Sequence, residues 1–222
     1  MKEDLWLDNL TDVQREQFSR YYELLREWNE KINLTTITEK KDVYLKHFYD
    51  SVILDELYDL RGSLCDVGSG AGFPGIPLKI VKPELSVVLM EPIKKRCVFL
   101  ETVIRELHLE GISVVNARAE EYKGQMFDYT TARAVAALNI LAELCLPLTK
   151  KDGHFLAMKA SKAAEELETA QNAIKILGGK VAETREITLS DDISRVIINI
   201  EKVKGTPAGY PRRYALIKKK PL

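Results

Sequence analysis

The segment Asp66-Val67-Gly68-Ser69-Gly70-Ala71-Gly72-Phe73-Pro74-Gly75 puts an acid at the end of a short apolar run, then three alternating glycines. Glycine leaves no Cβ between the backbone and a bound molecule, so the stretch suits a cradle for a nucleotide-like group. Spacing narrows the ligand. A dinucleotide fingerprint counted from Gly68 needs a third small residue where Phe73 stands. A phosphate P-loop needs Lys and a hydroxyl where Ile76 and Pro77 follow Gly75. Phe73 also takes room from a pyrophosphate, and no neighbouring cation would neutralise one. Asp66 suits a positively charged ligand instead, such as the amino-acid moiety and sulfonium of S-adenosylmethionine. A tight turn that binds nothing is the plainer alternative.

Ligands of doubly wound sheets lie beyond the carboxyl ends of the strands, so the residues that follow each apolar run matter most. Glu91 lies 23 residues past Gly68, where an acid can accept from both hydroxyls of a ribose. Ala119 and Glu120 could offer a backbone N–H and a carboxylate to an adenine edge, although two acids opening a helical turn are common. Arg133 and Lys159 follow two consecutive runs and put cations where a cofactor's reactive end would meet a substrate. His47 and Ser51 share a helix face beside Asp50, an arrangement better suited to a hydrogen-bond cluster or a pocket rim than to a catalytic triad.

Absences are informative as well. No Asp-Pro-Pro-Tyr segment follows the fourth strand, as it would for methylation of an exocyclic amine, and no Pro-Cys pair stands there for covalent C5 chemistry. No acid cluster suggests Mg²⁺, and three His with three scattered Cys give no zinc-ligand spacing, so no metal is expected.

The elements that must hold these residues follow from periodicity. Residues Thr11 to Lys31 carry apolar side chains at spacings of three and four, which predicts an amphipathic helix capped by Asn9 or Thr11. Its aromatic stripe reads as core packing. A second helix is predicted from near Thr38 to Tyr58. Beyond Gly62 strands alternate with helices: strands at Ser63–Val67, Leu85–Met90, Ile112–Val115, Phe127–Thr131, Gly153–Met158, Lys180–Thr188 and Ile193–Ile200, with helices at Leu78–Val81, Pro92–Leu109, Ala136–Leu148 and Lys162–Leu177. Such alternation predicts a Rossmann-like α/β fold with a mostly parallel seven-stranded sheet. The last two strands lack an intervening helix and should form an antiparallel terminal hairpin. The expected organisation is a helical extension at 1–60, a ligand-binding α/β domain at 61–203 and a basic tail at 204–222.

The 222 residues carry 33 acidic and 33 basic side chains, which argues against a general nucleic-acid coat. The distribution is uneven. Seven basic residues and no acid follow from Lys202 onward, enough to meet a polyanion on one face or to stay merely solvated. No apolar run approaches the ~20 residues needed to span a bilayer. The charged Met1-Lys2-Glu3-Asp4 opening and the unpaired cysteines point to the cytoplasm.

Taken in order, Asn33-Leu34-Thr35, His47-x-x-Asp50-Ser51, the glycine segment through Leu78, Lys94-Lys95-Arg96-x-x-Phe99-Leu100, Arg118-Ala119-Glu120-Glu121, Arg133-Ala134-Val135-Ala136 and Tyr210-Pro211-Arg212-Arg213 resemble the bacterial small-subunit ribosomal RNA methyltransferase G family, also called glucose-inhibited division protein B. The likeness spans nearly the whole chain. It implies the class I methyltransferase fold and transfer of a methyl group from S-adenosylmethionine to N7 of guanine 527 in 16S ribosomal RNA. It implies cofactor contacts at Gly68, Phe73, Glu91, Ala119, Glu120 and Arg133, to which the reading of the loop adds Asp66, Gly70 and Gly72. Glu91 departs from the Asp of many members but should still reach a ribose. Lys94, Lys95, Arg96, Lys159, Arg212 and Arg213 are the expected RNA contacts, with Arg133 and Lys159 orienting the substrate. The expected partner is 16S RNA or the assembling small subunit, met by a monomer. A methyltransferase for a small molecule or protein, or a noncatalytic nucleotide-binding module, are the alternatives.

Overall fold

The computed structural model describes residues 6–133, 136–160, 162–190 and 193–222, so Met1-Lys2-Glu3-Asp4 and the Ala134-Val135 pair lie outside the described residues. One seven-stranded sheet runs in the order β3-β2-β1-β4-β5-β7-β6. Its strands are β1 (Ser63–Val67), β2 (Ser86–Met90), β3 (Ile112–Val115), β4 (Phe127–Arg133), β5 (Thr149–Lys159), β6 (Gly179–Ser190) and β7 (Ile193–Lys202). The first five pair with one another in parallel, while β7 runs antiparallel to both β5 and β6. This is the mostly parallel sheet with a terminal hairpin that the alternation predicts. Strand order reverses between β1 and β4, which opens a crevice at their carboxyl ends.

The strands extend further than the apolar runs. β4 continues through Ala132 to Arg133, and β5 reaches Lys159, because ladder pairing such as Arg133 with Met158 carries them on. Both cations are therefore fixed by a sheet rather than by loops.

Helix α1 (Asp12–Ile32) starts at a capping box in which Thr11 and Gln14 satisfy each other's backbone N–H, and it stops at left-handed Asn33. Asn29 Oδ1 then accepts from Leu34 N and Thr35 N, so the turn after the helix is held in place. Helix α2 (Lys40–Val43) runs on through a π-helical segment (Tyr44–Tyr49) into α3 (Asp50–Tyr58). The wide turn was not expected from the sequence. It puts His47 and Asp50 on the side that faces the sheet's carboxyl edge.

Four helices alternate with the strands: α4 (Gly75–Val81), α5 (Lys94–Glu106), α6 (Leu138–Cys145) and α7 (Ala163–Ile176). Helix α4 starts three residues earlier than expected because Asp66 Oδ2 accepts from Gly75 N at its first turn. On one face of the sheet Phe18, Tyr21, Leu24 and Leu25 of α1 share a core with Phe48, Ile76, Leu89 and Phe99. The aromatic stripe is thus core packing, with Tyr21 stacked on Phe48. The other face is covered by α6, α7 and a last helix, α8 (Tyr214–Lys219), whose Ile217 is fully buried. The basic tail is folded onto the domain. Among the described residues no helix is long and apolar enough to cross a membrane.

Candidate active site

Three adjoining cavities follow the carboxyl edge of the sheet. The first, about 370 Å³, lies over the glycine loop and is walled by Gly68, Gly70, Phe73, Glu91, Thr35 and Arg133. The second is a slot of about 120 Å³ between Met90, Pro92, Ala119 and Leu144, with Glu120 and Tyr214 at its rim. It meets the first at Gly68 and Pro92. The third, about 470 Å³, is bounded by Met158, Lys159, Glu166 and Arg195 and shares His47 and Arg133 with the first.

Glu91 organises the first cavity. Oε2 accepts from Gly70 N and Oε1 from Ile93 N, both at 2.9 Å, which ties the loop to the end of β2. Each carboxylate oxygen has a second lone pair, so the acid can brace the loop and still accept from vicinal hydroxyls. A Cβ placed on Gly70 would meet only Gly68 O, at 3.8 Å, so the loop backbone faces open space. The carboxylate, the bare backbone and an adjoining flat apolar slot fit an adenosine with a short chain. Gly68, Gly70, Phe73, Glu91, Ala119, Glu120 and Arg133 all line these two spaces.

Asp66 and Gly72 do not line them. Asp66 is fully buried beneath the loop, with Oδ2 on Gly75 N and Oδ1 without a hydrogen-bond partner. Burial pushes its carboxyl up to about 7. Any effect on a bound cation must therefore act through the loop. Gly72 faces the N-terminal helix: at φ +95°, a Cβ would sit 2.7 Å from Tyr21 Oη and 2.5 Å from Ile76 Cδ1. Tyr21 also donates to Ala71 O, so α1 clamps the loop directly. A Gly72→Ala variant is expected to lose about 2 kcal/mol of stability, from positive-φ strain and overpacking. Urea unfolding measures it, and an unchanged midpoint would show the clamp to be slack.

Arg133 forms the wall between the first and third cavities. Its Nη1 donates to Asp50 Oδ2 at 2.9 Å and to Lys46 O at 3.1 Å, and its Nη2 lies 3.1 Å from His47 Nδ1. The guanidinium sits 4.8 Å from the centroid of Phe73, on which His47 is also stacked at 4.6 Å. Nδ1 of His47 lies 3.1 Å from both Arg133 Nη2, which can only donate, and Lys46 O, which can only accept, while Nε2 lies 2.8 Å from Thr35 Oγ1, so in either tautomer the bare ring nitrogen faces a donor. Burial and the adjacent guanidinium lower His47 to about 3, so the ring is neutral. Its one lone pair is already engaged, which removes it as a general base. Asp50 also holds Arg195 Nε at 2.9 Å, and Ser51 donates to His47 O. His47, Asp50 and Ser51 therefore form the hydrogen-bond cluster at the pocket rim.

The remaining cations divide. Lys94 and Lys95 are exposed in the first turn of α5, beside half-buried Arg96, which borders the first cavity and stands 3.9 Å from Glu91. Three cations at a helix N-terminus oppose the macrodipole, so folding alone does not favour them there. Arg213 is exposed next to the slot's rim. Arg212 is instead committed to the fully buried Glu143, with Nε and Nη2 at 2.8 and 2.6 Å. Lys159 is buried as well, with Nζ 2.7 Å from Ala136 O and 2.6 Å from Glu166 Oε2. Sequence reasoning missed Glu166 and Arg195 as walls of the third cavity. No local pattern marks them, since each reaches the site from outside the strand ends. No group of His, Cys, Asp and Glu among the described residues could hold a metal ion.

The family model for rRNA small subunit methyltransferase G (GidB) matches residues 14–194. A protein named ribosomal RNA small subunit methyltransferase G from Staphylococcus epidermidis is 53% identical over 220 residues, covering 96% of this chain and 92% of that one. The protein of the same name from Staphylococcus aureus strain Newman is 50% identical with the same coverage. Among solved structures, magnesium protoporphyrin IX methyltransferase from Synechocystis PCC 6803 with bound SAM superposes with a TM-score of 0.58 at 15% identity, over 82% of this chain and 97% of that one. TYW2 from M. jannaschii in complex with AdoMet gives 0.53 at 15% identity, over 69% and 76%. At that distance the likeness shows a shared fold.

Proposed function

Since this chain belongs to the rRNA small subunit methyltransferase G family, we propose that it transfers a methyl group from S-adenosylmethionine to N7 of a guanine in 16S ribosomal RNA, at the position 527 that the sequence resemblance implies. The observation that carries the reading is the shared wall. A cleft suited to the cofactor and a cavity roomy enough for a purine meet at His47 and Arg133. When bound, the cofactor supplies an electrophilic methyl group on a sulfonium.

The chain's own work is placement. Glu91 accepts the ribose hydroxyls while it holds Gly70, and Met90, Pro92 and Ala119 enclose the adenine. Guanine N7 carries a lone pair in the neutral base, so no residue needs to remove a proton, and a neutral, fully engaged His47 is consistent with that. What the site must provide is alignment of N7 with the methyl carbon, an orientation effect. Arg133 cannot swing into the path, because Asp50, Lys46 O and His47 fix its donors. A base inside folded RNA would have to be splayed out to enter the third cavity. Lys94, Lys95, Arg96 and Arg213 are the phosphate contacts in this reading. Arg212, whose charge is paired with Glu143, is not one of them, and Lys159 stands at the end of the third cavity, paired with Glu166.

Mapping N7-methylguanine in 16S RNA from strains with and without the gene tests the assignment. The mark should vanish in the deletion strain and return on complementation. A mark that persists in the deletion strain overturns the substrate. Absence of S-adenosylmethionine binding by calorimetry overturns the enzyme.

A further inference from the structure

The third cavity has a polar end that positioning of the methyl group does not require. Lys159 ends β5, one residue past the Met158 that pairs with Arg133, and Glu166 reaches the same place from α7. Glu166 Oε2 accepts from Leu138 N at 2.8 Å and lies 2.6 Å from Lys159 Nζ. Among the described residues Oε1 makes no hydrogen bond, although the side chain is only 28% exposed and lines the cavity. Lys159 Nζ uses its donors on Ala136 O and Glu166, which leaves a third N–H. The cavity end therefore offers one fixed donor beside one fixed acceptor.

We infer that the Lys159–Glu166 pair reads the guanine base, with Lys159 donating to O6 and Glu166 Oε1 accepting from N1–H and the N2 amino group. The inference rests on the N7-methylation reading above and adds to it the residues that select the base. Around guanine, N7, O6, N1 and N2 follow one another along the ring edge. Across the cavity Arg133 on β4, Lys159 on β5 and Glu166 on α7 follow in the same order. A base with N7 at the wall it shares with the first cavity thus turns its O6 and N1/N2 edge toward the pair. Adenine would present an amino donor to the lysine and a bare N1 lone pair to the carboxylate. Both contacts then fail, leaving buried polar groups unpaired, which is how a site rejects the wrong base.

Glu166→Gln inverts the acceptor. The amide oxygen must face Leu138 N and Lys159, because both donate, so the amide nitrogen turns into the cavity against the N2 amino group. The test uses small subunits reconstituted with 16S RNA carrying either guanosine or inosine at the methylated position. Inosine differs from guanosine only in lacking the N2 amino group. The native enzyme should methylate the inosine form at least about tenfold more slowly in kcat/KM. Glu166→Gln should be slower on guanosine and treat the two forms alike. Equal rates for the native enzyme on both forms would overturn the inference without recourse to any variant. So would a Glu166→Gln protein that keeps the full guanosine preference, since a merely structural glutamate would leave that ratio unmoved. No N7 methylation of the guanosine form by the native enzyme would instead sink the underlying function.

Discussion

Replacing Asp50 with alanine should cost about 3–5 kcal/mol of folding stability and abolish methyl transfer. Asp50 is 1% exposed and touches two arginines, Arg133 and Arg195, through different oxygens, each at 2.9 Å. Both guanidinium groups are themselves largely buried, at 14% and 24% side-chain exposure. Removing one member of a buried pair is costly because the partner keeps its charge without compensation, and here two partners are left. Freed of Asp50, Arg133 would also lose the contact that keeps it between the two larger cavities. Urea unfolding gives the stability, and an Asp50→Ala/Arg133→Met double variant should recover part of it. A single-variant loss under 1 kcal/mol would mean that solvent already screens the cluster.

Asp66→Asn should have the opposite effect on stability, one that grows as pH rises above about 4 and levels off past about 7. The carboxyl titrates near 7 in the folded chain against an ordinary 3.8, chiefly because burial disfavours the charged form. Between those values the folded chain holds a proton that the unfolded chain has released. Stability therefore falls as pH rises through the window, and the loss is complete above about 7. At about 1.4 kcal/mol per pH unit the loss over that window is at most a little over 4 kcal/mol. Asparagine keeps an acceptor for Gly75 N and carries no charge, so the variant should exceed the native protein by roughly 2–4 kcal/mol at pH 8 and match it near pH 4.

His47 runs the other way. Its ring titrates near 3 when folded against an ordinary 6.5, so stability is lost as pH falls through that range. In the native chain the two slopes oppose each other where their windows overlap. Removing the Asp66 charge should therefore unmask a steeper acid sensitivity. Urea midpoints at pH 4, 6 and 8 for both proteins check this, and parallel curves would sink the assignment.

Much of this architecture is legible because its signals are local. Thr11, one of two capping candidates, stands at the start of α1, the alternation of apolar runs predicts the sheet, and Glu91 stands at a countable distance from Gly68. What stayed hidden depends on partners far along the chain. Asp50 meets Arg133 and Arg195 only after the sheet has closed, and the π-helical turn that aims it has no marker among Tyr44–Tyr49. Arg212 reads as a free cation until Glu143, 69 residues earlier, is seen beneath it. Asp66 reads as a ligand contact because a strand-end acid usually is one. Here the first turn of α4 claims it.

The wide turn before α3 also bears on how such a protein can be rebuilt or inherited. The first sixty residues look like an attachment that could be exchanged for another helical cap. Yet they supply Thr35, His47 and Asp50 to the first and third cavities, and the Tyr21 contact to the glycine loop. A chimera that kept the sheet and swapped the cap would strand Arg133 and Arg195 without their acid, and a graft shorter by one residue in the wide turn would point that acid elsewhere. The two parts can be exchanged only together with the arginines that face the cap, which makes cap and sheet one heritable unit.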